Sequence, residues 1–270
     1  NANAPSKFVG QGAHFTQCVD VDADGRDEVA LGSMVLDDTG VPLWSTGKGH
    51  PDGLFVGDID PLRPGLEVYC YVETRNSTGG MILVDAATGE TLWELQTPTT
   101  HVHGGLCADL DPDFPGSECF GVDKRQVDRS EQIVGSWLKT ATGKPLPTPT
   151  DWGFGKMTIY WDADAQKELI FGRSVRKYQG TGEWSIPRFS FVPVDLMGDW
   201  REELLEFTDA GELRIHLSTV SAKDRRVCLM QDPIYRRDIA MCAMGYHRPA
   251  MLSYCPAVAP DSRKDGEGPK

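Results

Sequence analysis

The residues best equipped for chemistry in this chain are carboxylates that recur at alternating positions in short loops. Three such loops read Asp20-Val-Asp22-Ala-Asp24-Gly25-Arg-Asp-Glu28, Asp58-Ile-Asp60-Pro-Leu-Arg-Pro-Gly-Leu-Glu67 and Asp109-Leu-Asp111-Pro-Asp113-Phe-Pro-Gly-Ser-Glu118. A fourth, Tyr160-Trp-Asp162-Ala-Asp164-Ala-Gln-Lys-Glu168, has lost its first acid, and a fifth runs Asp195-Leu-Met-Gly-Asp199-Trp-Arg-Glu202-Glu203. Alternating Asp side chains in a tight loop turn several carboxylates inward, and a Glu arriving later closes the cage. That is a donor set for calcium, which takes about six to eight oxygens at ~2.3–2.6 Å. Gly25 and the pairs Pro64-Gly65 and Pro115-Gly116 supply the bends. The loops are too short for an EF-hand. Solvated Asp-rich turns are common between strands, but Glu28, Glu67 and Glu118 in matching places favour calcium. The expected ligands are Asp20, Asp22, Asp24, Glu28, Asp58, Asp60, Glu67, Asp109, Asp111, Asp113, Glu118, Asp195 and Asp199. Ions held there would be structural, pinning the first turn of each repeat and adding to folding stability.

The elements that must hold these loops form a repeat: a short strand, the acidic loop, a second apolar strand, a Gly turn and a further strand. Apolar runs follow the loops at Val29-Ala-Leu31, Val68-Tyr-Cys70, Leu169-Ile-Phe171 and Leu204-Leu205. Thr39-Gly40 precedes Leu43-Trp44, Thr88-Gly89 precedes Leu92-Trp93, and Thr142-Gly143 precedes Leu146. Starts at 20, 58, 109, 160 and 195 give intervals of 38, 51, 51 and 35 residues, which suit four-stranded units with variable loops. No helical period is sustained over a dozen residues, so helix content should be low. The expected architecture is an all-β propeller with about five recognisable blades, near 11–48, 49–99, 100–149, 150–187 and 188–255. A loose tail rich in Pro, Gly and charge follows at 256–270.

Composition narrows the partners. A net charge of −13 disfavours nucleic acid, whose phosphates need Lys and Arg. No run approaches the length of a membrane span, and residues 1–7 carry no signal-peptide pattern. None of the seven cysteines forms a CxxC pair, which removes zinc-ribbon and thioredoxin readings. Cys18 and Cys107, within apolar strands, are expected as buried thiols. Asn76-Ser77-Thr78 is a sequon. His101-Val-His103 places two imidazoles on one strand face, which could form a metal pair but is a weak set by itself. The seven tryptophans are expected mostly to pack between blades, with Trp152 or Trp184 able to stack on sugar rings.

Several longer motifs, in order, resemble the rhamnogalacturonan lyases of polysaccharide lyase family 11. They are Gly12-Ala-His14 with the Asp20 loop, Leu43-Trp-Ser-Thr-Gly-Lys-Gly-His50, the Asp58 loop and Asp85-Ala-Ala-Thr-Gly-Glu90. Asp195-Leu-Met-Gly-Asp-Trp-Arg-Glu-Glu203, Asp232-Pro-Ile-Tyr-Arg236 and Gly245-Tyr246 follow. The resemblance covers about residues 11–255 and corresponds to the family's second half. It implies an eight-bladed propeller of which this is a part, and a secreted or periplasmic enzyme acting on an acidic polysaccharide. It also implies β-elimination on a uronate with calcium at the catalytic centre. In that reading His14 and His50 match central-channel histidines, and Tyr246 matches a family tyrosine. His103 stands where the family has an arginine. The Asn-Gly-Thr-Lys stretch before the Gly-Asp-Trp motif is replaced by Glu183-Trp-Ser-Ile-Pro-Arg188, so Arg188 is the neighbour able to stand in for the lysine. Acidic loops of this kind also occur in adhesion propellers, so a non-catalytic propeller binding carbohydrate or protein is the other reading.

Overall fold

A computed structural model describes residues 6–14, 16–128, 130–148, 157–222, 224–245 and 247–258. The chain is all-β, built of several antiparallel sheets. The first holds β1 (Gln17–Val19), β2 (Glu28–Ala30), β3 (Met34–Leu36) and β4 (Pro42–Ser45). The second holds β5 (Pro51–Gly57), β6 (Glu67–Val72), β7 (Met81–Asp85) and β8 (Thr91–Glu94). β9 (Val102–Ala108), β10 (Glu118–Val127), β11 (Ser130–Lys139) and β12 (Pro145–Leu146) form the third. A fourth contains β13 (Met157–Ile159), β14 (Glu168–Phe171), β15 (Ser174–Arg176) and β16 (Glu183–Ser185). Within each, strand order follows chain order, as hairpin-linked antiparallel strands do. The stretch 188–255 holds a two-stranded sheet, β17 (Leu204–Phe207) with β18 (Leu213–His216), and an isolated Val194–Glu203 bridge. It also holds the helix α1 (Pro233–Cys242).

That helix has clear local causes. Asp232 caps it, its side chain accepting from the Tyr235 N–H at 2.9 Å, and Pro233 occupies the first turn, where a missing N–H costs nothing. Its ten residues are too few to register as a sustained period. Arg237 ties it to the first sheet through an ion pair to Asp27 at 2.6 Å.

First strands lie beside one another: β1 packs near β5, and β5 near β9. Gln17 stitches the first pair, donating to Val56 O at 3.2 Å and accepting from Val56 N at 3.0 Å. β5 and β6 are buried along their whole lengths, which explains their nearly unbroken apolar runs. Outer strands are tied by tryptophan. Trp44 on β4 donates to Ala86 O, and Trp93 on β8 to Ala141 O, both at 2.8 Å. Each indole covers the Thr-Gly turn of the next sheet. A Cβ on Gly89 would sit 2.6 Å from Trp44, and one on Gly143 2.7 Å from Trp93, so glycine there permits both the turn and the close approach. All seven cysteines are free. Cys107 is buried as expected, but Cys18 is exposed because β1 turns Gln17 and Val19 inward and the residue between them outward.

The order of elements sets up two ends. The acidic loops leave the C-terminal ends of β1, β5, β9 and β13, while His14, His50 and His101 precede or open first strands. Seven-residue β5 separates those ends by about 20 Å.

Candidate functional site

At the N-terminal end of the first strands, four histidines meet two carboxylates. His50 Nε2 lies 3.2 Å from His14 Nε2 and 3.6 Å from Glu73 Oε2. His103 Nδ1 is 3.0 Å from Glu73 Oε1 and 3.6 Å from Asp52 Oδ1. His101 Nε2 stands 3.4 Å from Glu73 Oε1. His14 Nε2 lies 3.9 Å from the same Glu73 oxygen and 4.0 Å from Asp52 Oδ1. Three sheet-leading segments and the end of β6 supply these groups.

Backbone geometry aims them. Glu73 follows β6 and donates its N–H to His50 O at 3.0 Å, which fixes the carboxylate opposite His50. The β5–β6 register shifts between Pro51 and Gly53, and such an irregularity re-aims a side chain; here the residue between them is buried Asp52. Gly104, at φ +105°, donates to Asp52 Oδ2 at 3.0 Å, leaving Oδ1 toward His103 and His14. Asp123 on β10 accepts from the N–H groups of Thr100 and His101 and fixes the entry into β9. His50 Nδ1 pairs with Gly12 O. A carbonyl can only accept, so Nδ1 carries a proton and Nε2 is the nitrogen that faces the cluster.

Electrostatics follow from this crowding. Burial alone would raise Glu73, but the His103 hydrogen bond and the charges of His101, His50 and His103 outweigh it and hold the carboxyl below its ordinary value. Two triads have donor atoms within 4.8 Å of one another: His14, His50 and Glu73, and Glu73, His101 and His103. Each can hold a divalent cation. With Nδ1–H on Glu73, His103 also has the arrangement of a carboxylate-oriented base.

Of the residues expected from sequence, His14, His50 and His103 are therefore brought together. Arg188 is exposed after β16, and among the described residues no hydrogen bond or ion pair joins it to the cluster. Tyr246 and Trp152 lie outside the described residues. Asp52 and Glu73 were missed. Their signal was an acid inside an otherwise buried strand and the first acid after one.

The acidic loops occupy the other end, and they share one device. Glu28 Oε2 accepts from Val21 N, Glu67 Oε2 from Ile59 and Asp60, Glu118 Oε2 from Leu110 and Asp111, and Glu168 Oε2 from Trp161. Every sibling Oε1 is buried without a hydrogen-bond partner. Burial pushes Glu67 up to about 7 and Glu118 up to about 8 against the pull of those backbone donors. A buried anionic oxygen so arranged calls for a cation.

How far each loop closes differs. Asp20, Asp22 and Glu28 gather within 4.8 Å, and Glu28 can also join Asp37 and Asp38 of the following turn, two acids outside the expected ligand set. Asp24 accepts from Arg26 N at 2.8 Å. The 58–67 and 109–118 loops form no such triad among the described residues. Asp58 Oδ2 accepts from Cys255 N, Asp60 Oδ1 from Leu62 N, and Asp109 Oδ2 from the Cys255 thiol. Asp111 is engaged by Gln179 at 2.8 Å and by the Asp113 N–H, while the Asp113 side chain is exposed. Asp195 accepts from Gly198, Trp200 and Leu229, and Asp199 pairs with Arg201 at 3.0 Å. The residues present thus fit calcium best at 20–28.

Comparison with known proteins agrees with the sequence motifs. The family model described as "Rhamnogalacturonan lyase family 11, C-terminal domain" matches residues 1–259. The chain is 35% identical over 265 residues to the rhamnogalacturonan endolyase YesW of Bacillus subtilis (strain 168), covering 92% of this chain and 40% of that protein. It is 35% identical over 272 residues to the rhamnogalacturonan exolyase YesX of the same organism, covering 92% and 43%. The crystal structure of YesW superposes with a TM-score of 0.78 at 34% identity, over 94% of this chain and 44% of that one. A rhamnogalacturonan lyase from Bacillus licheniformis gives 0.77 at 32% identity, over 94% and 44%. The chain therefore spans less than half the length of the relatives it matches.

Proposed function

The chain belongs to rhamnogalacturonan lyase family 11, and from that premise we propose that it forms part of a polysaccharide lyase cleaving a uronate-containing pectic polymer, such as rhamnogalacturonan, by calcium-assisted β-elimination. The observation that carries this reading is the meeting of His14, His50 and His103 with Asp52 and Glu73. Its sheets we read as about five consecutive blades of a β-propeller, within the eight-bladed ring that the family resemblance implies. The adjacency of β1, β5 and β9 supports that arrangement.

The chemistry assigns roles. The C5 proton of a uronate is weakly acidic until the C6 carboxylate is neutralised. Calcium held by the Glu73 carboxylate and by oxygens of the uronate itself would supply that positive charge, with His14 and His50 beside it. His103, its Nδ1–H held by Glu73, accepts the C5 proton on Nε2. The C5–H electrons form the C4–C5 double bond, the C4–O4 bond breaks, and O4 leaves after taking a proton. We assign that proton to Tyr246, which matches a family tyrosine, and give no step to Arg188, which is exposed and joined to the cluster by no hydrogen bond or ion pair among the described residues. An acidic protein can engage an acidic polymer in this way because the cation bridges them. We propose a secreted or periplasmic location, where such a polymer is met.

The test uses the full-length protein on rhamnogalacturonan and follows the ultraviolet absorbance of the unsaturated product. Sustained growth of that signal is expected. Polymer binding with no unsaturated product would replace catalysis by the reading of a calcium-stabilised carbohydrate-binding propeller.

A further inference from the structure

The fourth acidic loop is the one whose sequence departs most from its siblings. Tyr160 stands where the others begin with Asp, so one carboxylate is gone. The remaining three, Asp162, Asp164 and Glu168, still gather within 4.8 Å, as Asp20, Asp22 and Glu28 do. Inside this cage sits a cation from the chain itself. Lys177 Nζ lies 2.8 Å from Asp162 Oδ2, 2.7 Å from Asp164 Oδ2 and 3.2 Å from Glu168 Oε1. An ammonium has three N–H donors, and it meets three carboxylates here.

We propose that the fourth loop is a cation site whose resident ion is the Lys177 ammonium, so that this sheet is pinned without a divalent metal. The proposal is independent of whether the chain is a lyase.

Local structure explains how the lysine arrives. β15 ends at Arg176, and the Lys177 N–H closes the next turn by donating to Gly182 O at 3.2 Å. This places the lysine stem over the loop between β13 and β14. Two residues on, Gln179 reaches Asp111 of the neighbouring acidic loop at 2.8 Å, so one turn serves carboxylates of two loops. Tyr160 packs instead of ligating. Its side chain is buried, with Trp200 5.9 Å away and Lys167 over its ring. Burial lowers the Lys177 pKa, but its hydrogen bonds to Asp162 and Asp164 and the charge of Glu168 raise it more, and the net shift is upward. The lysine is therefore a permanent charge at physiological pH. The Nζ–O distances of 2.7, 2.8 and 3.2 Å are hydrogen-bond lengths, longer than the about 2.3–2.6 Å of calcium coordination, and the loop lacks the leading Asp of its siblings.

The test counts bound calcium per molecule in the full chain and its variants after removal of free ion. Glu168→Gln should retain as many equivalents as the parent, because no divalent ion is lost. Lys177→Met, which keeps the stem and removes the charge, should bind one additional equivalent, and calcium should raise its melting temperature more than it raises the parent's. Loss of an equivalent in Glu168→Gln would overturn the proposal, since a divalent ion would then have occupied the loop beside Lys177. An unchanged count in Lys177→Met would also overturn it, by showing that the carboxylates do not form a cation cage. If Lys177→Met does not fold, the Glu168→Gln count decides.

Discussion

The two ends of the first strands hold similar residue types in opposite kinds of assembly. Each of the first four acidic loops is framed locally by a Glu that returns to its own loop's backbone: Glu28 folds back within nine residues onto Val21 N and the Asp20 carboxylate group. The histidine site is non-local, drawing His14, His50, Glu73 and His103 from segments that meet only when three sheets pack side by side. A local cage can be repeated with changes from copy to copy, as the Tyr160 start and the Lys177 ion pairs of the fourth loop illustrate. A shared cage cannot, because every sheet contributes a part. On this account the loops carry stability and the histidine end carries chemistry.

That separation can be broken most sharply at His103. His103→Ala should lower turnover by ~10²–10⁴-fold, the usual weight of proton transfer, while leaving the melting temperature within about 2 °C, since the side chain is partly exposed. A variant with unaltered turnover would remove His103 from the chemistry; calorimetry alongside the rate assay checks both halves.

A smaller effect in the other direction is expected at the loops. Glu28→Gln removes the anionic Oε1 that has no protein partner, and calcium should then stabilise less. Losing an interaction of ~1–3 kcal/mol in a chain of this size lowers the melting temperature on the order of 5 °C. Excess chelator should reproduce that loss in the parent and add little to the variant. A chelator-insensitive parent would contradict structural calcium.

The subtlest expectation concerns pH. Burial pushes Asp109 and Glu67 up to about 7 and Glu118 up to about 8, above their values in an unfolded chain. Protons held on these groups favour folding. Their contribution is full below the ordinary carboxylate range and is lost as pH rises through about 7 to 8. Chelated protein should therefore melt at higher temperature at pH 6 than at pH 8, and calcium should flatten the difference. A chelated protein more stable at pH 8 would show that these carboxylates are ionised without a cation.

Much of the loop end was legible in the sequence because spacing within nine or ten residues encodes it. The repeat and its Thr-Gly turns were legible for the same reason, whereas the approach of Trp44 and Trp93 to the next sheet's glycines came only with the structure. What local spacing hides is partnership. Lys177 lies beyond the loop it fills, and Asp58 and Asp109 turn toward Cys255, far along the chain. The histidine end was half visible. The family resemblance pointed to His14, His50 and His103, but Glu73 and Asp52 join them through β6 pairing and a register shift that no short motif announces. α1 escaped although its Asp232–Pro233 start is a cap signal, because its ten residues carry little periodicity.

One comparison tests the division of labour directly: the same carboxylate-to-amide change at each end, read as the initial rate of unsaturated product from rhamnogalacturonan under saturating calcium. Glu73→Gln should lose most of the parent rate, because His103 loses its orienting anion and the cation site loses a ligand. Glu28→Gln, measured well below its melting temperature, should keep the parent rate within about twofold. Equal losses in both variants, or a larger loss in Glu28→Gln, would contradict the account.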